Sequence, residues 1–278
     1  MRAHTSTAAA SAGASAPRRR LAELLRAAGS VVALTGAGVS VPSGIPDFRS
    51  PGTGLWERVD PMAVAHIDVF RADPEHFWRF YSERFAALSE KQPNEVHRAL
   101  VSLERAGMLD AVITQNVDML HRRAGTRELV EVHGSIERSS CPECGAEVTL
   151  AEARALAAAD ERGVPRCERC GAALKPDVVL FGEMLPAAAI GRAQSLCSGA
   201  RVLLCIGSSL EVHPVAALPL LTLRAGGEIA IITKGPTPLD ELASVRLDGD
   251  LVEEMRLLLA LLDLQPPGAR SGARPRQR

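Results

Sequence analysis

No stretch of this 278-residue chain is long and apolar enough to span a bilayer as a helix. Charge of neither sign is in excess. Thirty-two Lys and Arg stand against 33 Asp and Glu, a formal net charge of −1. Bulk electrostatics therefore favour neither nucleic acid nor a membrane surface. Cysteine is too sparse for a disulfide framework: there are six, and four of them form two C-x-x-C pairs. That usage points to metal ligation and to a reducing compartment, so a cytoplasmic location is expected. A third glycine is missing where a dehydrogenase fingerprint needs it. Gly36 and Gly38 fit G-x-G-x-x-G, but Val41 stands at the last position. No G-x-S-x-G elbow is present for a serine hydrolase. A secretory leader is not expected: Thr5–Ala16 is Ala/Ser-rich without bulky apolar residues, and its basic cluster, Arg18-Arg19-Arg20, follows it. Residues 1–17 read as a disordered extension, and 266–278, rich in Pro, Gly and Arg, as a disordered tail.

What is present is a large core. The apolar fraction is 46%, and the length suits one large domain with a small insert. Val31–Thr35, Ala111–Thr114, Leu129–Val132, Pro176–Phe181, Val202–Gly207 and Glu228–Ile232 read as strands. Helices are expected at Leu21–Ala28, after Asp73-Pro74, after the Asn94 cap, and at Val117–Ala124. Others fall near Pro186–Ser198, Pro214–Arg224 and Asp250–Leu262. Alternating strands and helices predict an α/β fold, a doubly wound parallel sheet. The helix after Asp73, with Phe70 just before it, holds six of the nine aromatic residues. Gly36-Ala37-Gly38, Thr114-Gln115-Asn116 and Gly207-Ser208-Ser209 all fall at C-terminal strand ends, where such sheets bind ligands.

Residues 138–175 break the apolar pattern. Cys141-x-x-Cys144 and Cys167-x-x-Cys170 are separated by 22 residues, and a glycine, Gly145 or Gly171, follows each pair. Two such knuckles aim four thiolates at one ion, a tetrahedral S4 zinc site. With every position filled by cysteine, no place is open for water, so the zinc is expected to be structural. Cys197 and Cys205 are left over, and Cys205 reads as a small buried apolar side chain.

The string Gly36–Arg49, GAGVSVPSGIPDFR, resembles the first signature of the sirtuin family of NAD-dependent protein deacylases. Thr114–His121, TQNVDMLH, resembles the second, and His133-Gly134 the third. Lys175–Glu183, KPDVVLFGE, is similar to the family's substrate-cleft segment, and Gly207–Pro214, GSSLEVHP, to its next NAD-contacting loop. With the cysteine module between the third and fourth motifs, the resemblance spans roughly residues 21–263. It implies a Rossmann-type large domain, 18–137 plus 176–265, with an inserted small zinc-ribbon/helical domain. The zinc module is 138–175, and a helical insert at about 50–93 belongs to the small domain.

The resemblance further implies site residues. Gly36, Ala37, Gly38, Ser40, Val41, Asp47, Phe48 and Arg49 would contact NAD, with Phe48 near the nicotinamide. Gln115 and Asn116 would bind near the nicotinamide ribose, and Asp118 with Val117 would hold the carboxamide. Gly207, Ser208 and Ser209 would hold the phosphate or adenosine-ribose side, with Thr233, Lys234 and Leu251 completing the set. Thr233 departs from the family, which usually has Asn there. Lys234 reads equally as a phosphate partner or a surface lysine. Val179, Phe181 and Val212 would line the peptide and acyl-lysine tunnel, the peptide adding as a strand. His133 would be the general base, with Asn116 beside it in the catalytic set.

In the implied chemistry, nicotinamide leaves, the substrate amide oxygen attacks the ribose carbon, and the base removes a ribose hydroxyl proton. The products are lysine, nicotinamide and O-acetyl-ADP-ribose, so NAD is consumed. Two alternatives stand beside deacetylation. Tyr81 and Arg84 share a helix face and match a Tyr-x-x-Arg of the branch that removes succinyl and malonyl groups, where Arg pairs with the acyl carboxylate. Against this, Val41–Asp47 looks like the deacetylase branch. An NAD-dependent ADP-ribosyltransferase is the other. The expected partners are acyl-lysine proteins or peptides, with no membrane and no specific nucleic acid.

Overall fold

The computed structural model describes residues 15–47 and 59–265. Six parallel strands form the main sheet in the order β3-β2-β1-β7-β8-β9. They are β1 (Val31–Thr35), β2 (Ala111–Thr114), β3 (Leu129–Glu131), β7 (Val202–Ile206), β8 (Glu228–Ile232) and β9 (Val245–Leu247). The continuous apolar runs of the inner strands serve two cores at once. In β1, Val31 and Ala33 face the helices Ala16–Ala27, Glu95–Arg105 and Leu251–Leu261. Val32 and Leu34 face the helices Ala187–Gly199 and Leu218–Arg224. β7 alternates in the same way, with Val202, Leu204 and Ile206 in the first core and Leu203 and Cys205 in the second. Cys205 is thus the buried apolar residue expected of it.

β1 pairs with β2 on one side and β7 on the other, so the chain order reverses around it. Ligand crevices open at such switch points, beyond the C-terminal strand ends. A separate three-stranded antiparallel sheet, β5-β4-β6, is built from β4 (Gly134–Ser140), β5 (Glu147–Thr149) and β6 (Lys175–Val178). The helix Pro74–Glu90 packs against it. Phe70, Phe77, Trp78 and Phe85 cluster with Ile136, Val178 and Leu180, and Trp78 Nε1 donates to the Leu174 carbonyl at 2.9 Å. Asp73 caps that helix through a bond from His76 N–H at 2.9 Å, with Pro74 in its first turn.

Three readings need correction. The strand expected at Pro176–Phe181 is β6, and it pairs antiparallel with β4, outside the parallel sheet. The helix expected from Val117 begins only at Leu120. Met119 before it has φ 66°, and the Asp118 carboxylate accepts the Leu120 N–H. The first helix, expected at Leu21–Ala28, starts at Ala16, inside the segment read as disordered, and just past that segment Arg18 forms a bidentate pair with Glu254 at 2.6 and 2.7 Å.

Candidate functional site

After β1 the chain turns into a 3-10 helix, Ala37–Ser43, closed by Gly44 at φ 76°. Gly36 N–H donates to the Ile206 carbonyl at 3.1 Å and Gly38 N–H to the Gly207 carbonyl at 2.9 Å. A Cβ on Gly36 would lie 2.7 Å from the Gly207 carbonyl oxygen, and one on Gly38 2.8 Å from Gly207 Cα. Gly207 has φ 61°, and a Cβ there would meet Val39 N at 2.6 Å. These glycines therefore do more than admit a ligand. They let two strand ends touch, a requirement the sequence does not reveal.

Beneath this loop lies a connected polar group. Ser40 Oγ donates to Asp118 Oδ2 at 2.6 Å. Asn116 Nδ2 donates to the Gly36 carbonyl and to Ser40 Oγ, each at 3.1 Å. Leu120 N–H donates to Asp118 Oδ1 at 2.9 Å. Burial raises the Asp118 carboxyl above its ordinary range, while the Ser40 and Leu120 bonds oppose that rise. Asn94, expected only as a helix cap, also donates from Nδ2 to the Val39 carbonyl at 2.8 Å and to Ser43 Oγ at 2.9 Å. It braces the loop from 55 residues away, which no local pattern announces.

His133 lies just beyond β3 and directly before β4. Gly134 has φ 75°, and a Cβ there would stand 1.9 Å from the Asp177 carbonyl, so only glycine lets the two segments cross. His133 Nδ1 lies 2.9 Å from the Gln115 carbonyl. A carbonyl can only accept, so Nδ1 carries the proton and Nε2 is left as a base. Burial lowers the His133 pKa, partly offset by that bond, which favours the neutral ring. Gln115 is itself held, with Nε2 donating to Ser208 Oγ at 2.9 Å.

A cavity of about 840 Å³ joins these parts. From the first loop it is lined by Gly36, Ala37, Gly38, Ser40, Val41 and Asp47. The strand ends and the segments after them add Gln115, Asn116, Val117, Asp118, His133, Gly207, Ser208, Ser209, Thr233 and Lys234, and the helix Leu251–Leu261 adds Leu251. Val179, Phe181, Val212 and Tyr81 complete its other wall. Phe48 and Arg49 lie outside the described residues. Arg84 is not part of the wall: its guanidinium lies 3.5 Å over the Phe80 ring and donates to the Phe80 carbonyl at 2.5 Å. Tyr81 is stacked on Phe85, and burial pushes its phenol up to about 12. Lys234 pairs with Asp250 at 3.5 Å in the open. Asp250, Ile190, Gln194 and Leu88 also border the cavity without having been expected there. They sit on helices whose sequences show only capping or core patterns.

The cavity suits an extended dinucleotide: backbone glycines at the switch point, buried amides and hydroxyls along one side, and an imidazole base at the junction. The metal site lies apart from it. Cys141, Cys144, Cys167 and Cys170 place their Sγ atoms within 4.8 Å of one another. Zinc bonds of about 2.3 Å in a tetrahedron hold sulfurs about 3.8 Å apart, so the cluster fits that ion. The two knuckles are built alike: Gly145 N–H donates to the Cys141 carbonyl and Gly171 N–H to the Cys167 carbonyl, with φ of 68° and 78°.

A profile of the Sir2 family matches residues 36–214. The chain is 40% identical over 237 residues to the NAD-dependent protein deacetylase of Thermotoga maritima, covering 85% of this chain and 95% of that one. It is 42% identical over 247 residues to the NAD-dependent protein deacetylase 1 of Geobacillus kaustophilus, with coverages of 86% and 97%. Among solved structures, Sir2 bound to acetylated peptide is similar with a TM-score of 0.80 at 38% identity, covering 87% of this chain and 96% of that one. Sir2 with a deacetylated peptide and 3′-O-acetyl ADP ribose gives a TM-score of 0.84 at 38% identity, with coverages of 89% and 99%.

Proposed function

The chain belongs to the Sir2 family and is an NAD-dependent protein deacetylase or deacylase, and on that premise we propose how its residues divide the work. NAD, when bound, supplies the glycosidic bond whose cleavage drives amide removal. The loop Gly36–Asp47 and the Gly207–Ser209 turn hold its backbone-facing parts. Asp118 receives the nicotinamide carboxamide on a carboxylate already oriented by Leu120 N–H at Oδ1 and Ser40 Oγ at Oδ2. Asn116 and Gln115 lie along the ribose beside the base. Phe48 and Arg49 belong to the same NAD-binding set. Thr233 takes the place of the family's Asn at the adenosine ribose, and Leu251 packs nearby.

His133 accepts a proton at Nε2 from a ribose hydroxyl. The observation that carries this role is the Nδ1–H bond to the Gln115 carbonyl, which fixes the tautomer. The acyl-lysine enters along Val179, Phe181 and Val212. The position of the Arg84 guanidinium, over Phe80 and away from the cavity wall, supports acetyl over acidic acyl groups. The zinc module, 138–175, and the helical insert act as the small domain, and the rest as the NAD-binding domain. A cytoplasmic compartment suits four ligating thiolates, and no helix among the described residues is long and apolar enough to cross a membrane.

Incubation with NAD and acetyl-, propionyl- and succinyl-lysine peptides, followed by mass spectrometry, tests this reading. The acetylated peptide is expected to lose its acyl group with equimolar nicotinamide and O-acetyl-ADP-ribose. Preferential removal of succinyl, or transfer of ADP-ribose to protein with the acetyl group left in place, would contradict it.

A further inference from the structure

The segment 178–183 forms the cavity wall next to β6, with Lys175 before it and Glu183 at its end. Lys175 Nζ and Glu183 Oε2 are 2.9 Å apart. The same ammonium donates to the Val178 carbonyl at 2.9 Å and the Pro176 carbonyl at 3.1 Å, so all three of its protons are engaged. Glu183 Oε2 also accepts Leu180 N–H at 2.9 Å. Side-chain exposures of 17% and 25% place the pair out of reach of full solvent screening. The other side of the segment is fixed by backbone. Val179 N–H donates to the carbonyl of His133 at 2.9 Å, Phe181 N–H to Ala65, and Ile67 N–H to Phe181.

We propose that the Lys175–Glu183 pair is a positioning clip for the acyl-lysine substrate, fixing the register of the Val179–Phe181 edge on which the peptide docks. This rests on the reading that the peptide binds there. Val178 and Leu180 point into the apolar cluster of the small sheet, while Phe181 is 39% exposed. A slip of one residue would exchange these faces. The backbone anchors hold the edge in place, and the clip ties the chain before it to the chain after it. The Val179 bond to His133 means that a shifted edge also misplaces the acyl group relative to the base.

The test is steady-state kinetics on the full zinc-loaded chain with an acetyl-lysine peptide and NAD. Glu183→Gln and Lys175→Met are expected to raise the peptide KM by about tenfold while the NAD KM holds, and Lys175→Arg to stay near wild type. The double exchange Lys175→Glu with Glu183→Lys should recover part of the loss. An unchanged peptide KM in both single variants of an active enzyme overturns the clip alone. So does an equal rise in both KM values with a lower Tm, which marks a purely structural pair. A wild type that leaves acetyl-lysine intact, or Phe181→Ala with an unchanged peptide KM, overturns the docking reading and the clip with it.

Discussion

His133 gives its Nδ1 proton to a backbone carbonyl and keeps Nε2 for chemistry, and two further imidazoles are kept neutral for a different end. His97 and His121 meet at 4.8 Å between ring centroids, both buried beneath the first loop. His121 shares a 2.9 Å bond with Thr35 Oγ1, and His97 Nδ1 accepts Asn94 N–H at 3.4 Å. His97 Nε2 and His121 Nδ1 have no hydrogen-bond partner among the described residues. Burial lowers His97 to about 4, and His121 well below its ordinary value. The unfolded chain takes up these protons near pH 6.5 and the folded one does not. Stability therefore falls as pH drops below about 6.5, and the His97 share keeps falling to about pH 4. That share is on the order of 3 kcal/mol. Asp118 and Glu131, both raised by burial, act in the opposite sense, but over the lower carboxylate range. Urea midpoints at pH 7.5 and 5.0 check this. The midpoint should drop at pH 5.0, and less in His97→Gln. A midpoint equal at both values would refute it.

At the scale of elements, the small sheet, whose connecting turns carry the four cysteines, should depend on the metal, and the parallel sheet should not. Leu174 is buried with Cys141 and Cys167 in a cluster too small to stand alone. Chelation should therefore raise amide exchange across residues 134–178 while β1, β7 and β8 stay protected. Uniform exchange over both sheets would contradict it. The same contrast explains what was legible. β1, β7 and β8 are readable because runs such as VLLCI are apolar on both faces and admit one environment. β4, with the sequence GSIERSS, is half-exposed and polar, so nothing in it announces a strand. KPDV reads as a strand, but a short run does not say which sheet it joins. The helix Leu150–Ala159 is Ala-rich with a weak apolar face, and its Thr149 capping box is its clearest mark. Asn94 is legible as a cap, yet its bond to Val39 is a tertiary fact.

Across the whole molecule, one site emerges because the order of strands reverses at β1. The ends of β1, β2, β7 and β8 bring residues some 200 positions apart onto one cavity, with Gly36 against Gly207 at its centre. The small sheet supplies the facing wall and delivers Gly134, which sets His133 between the two parts. The motifs were readable as strings of residues, whereas their convergence follows from topology. The most direct measurement of the account is formation of O-acetyl-ADP-ribose by wild type and His133→Ala at saturating NAD and acetyl-lysine peptide, with zinc content and Tm recorded for both. The account predicts a folded, zinc-loaded variant whose product formation falls by roughly 10²–10⁴-fold. Product formation near the wild-type rate in that variant would contradict it.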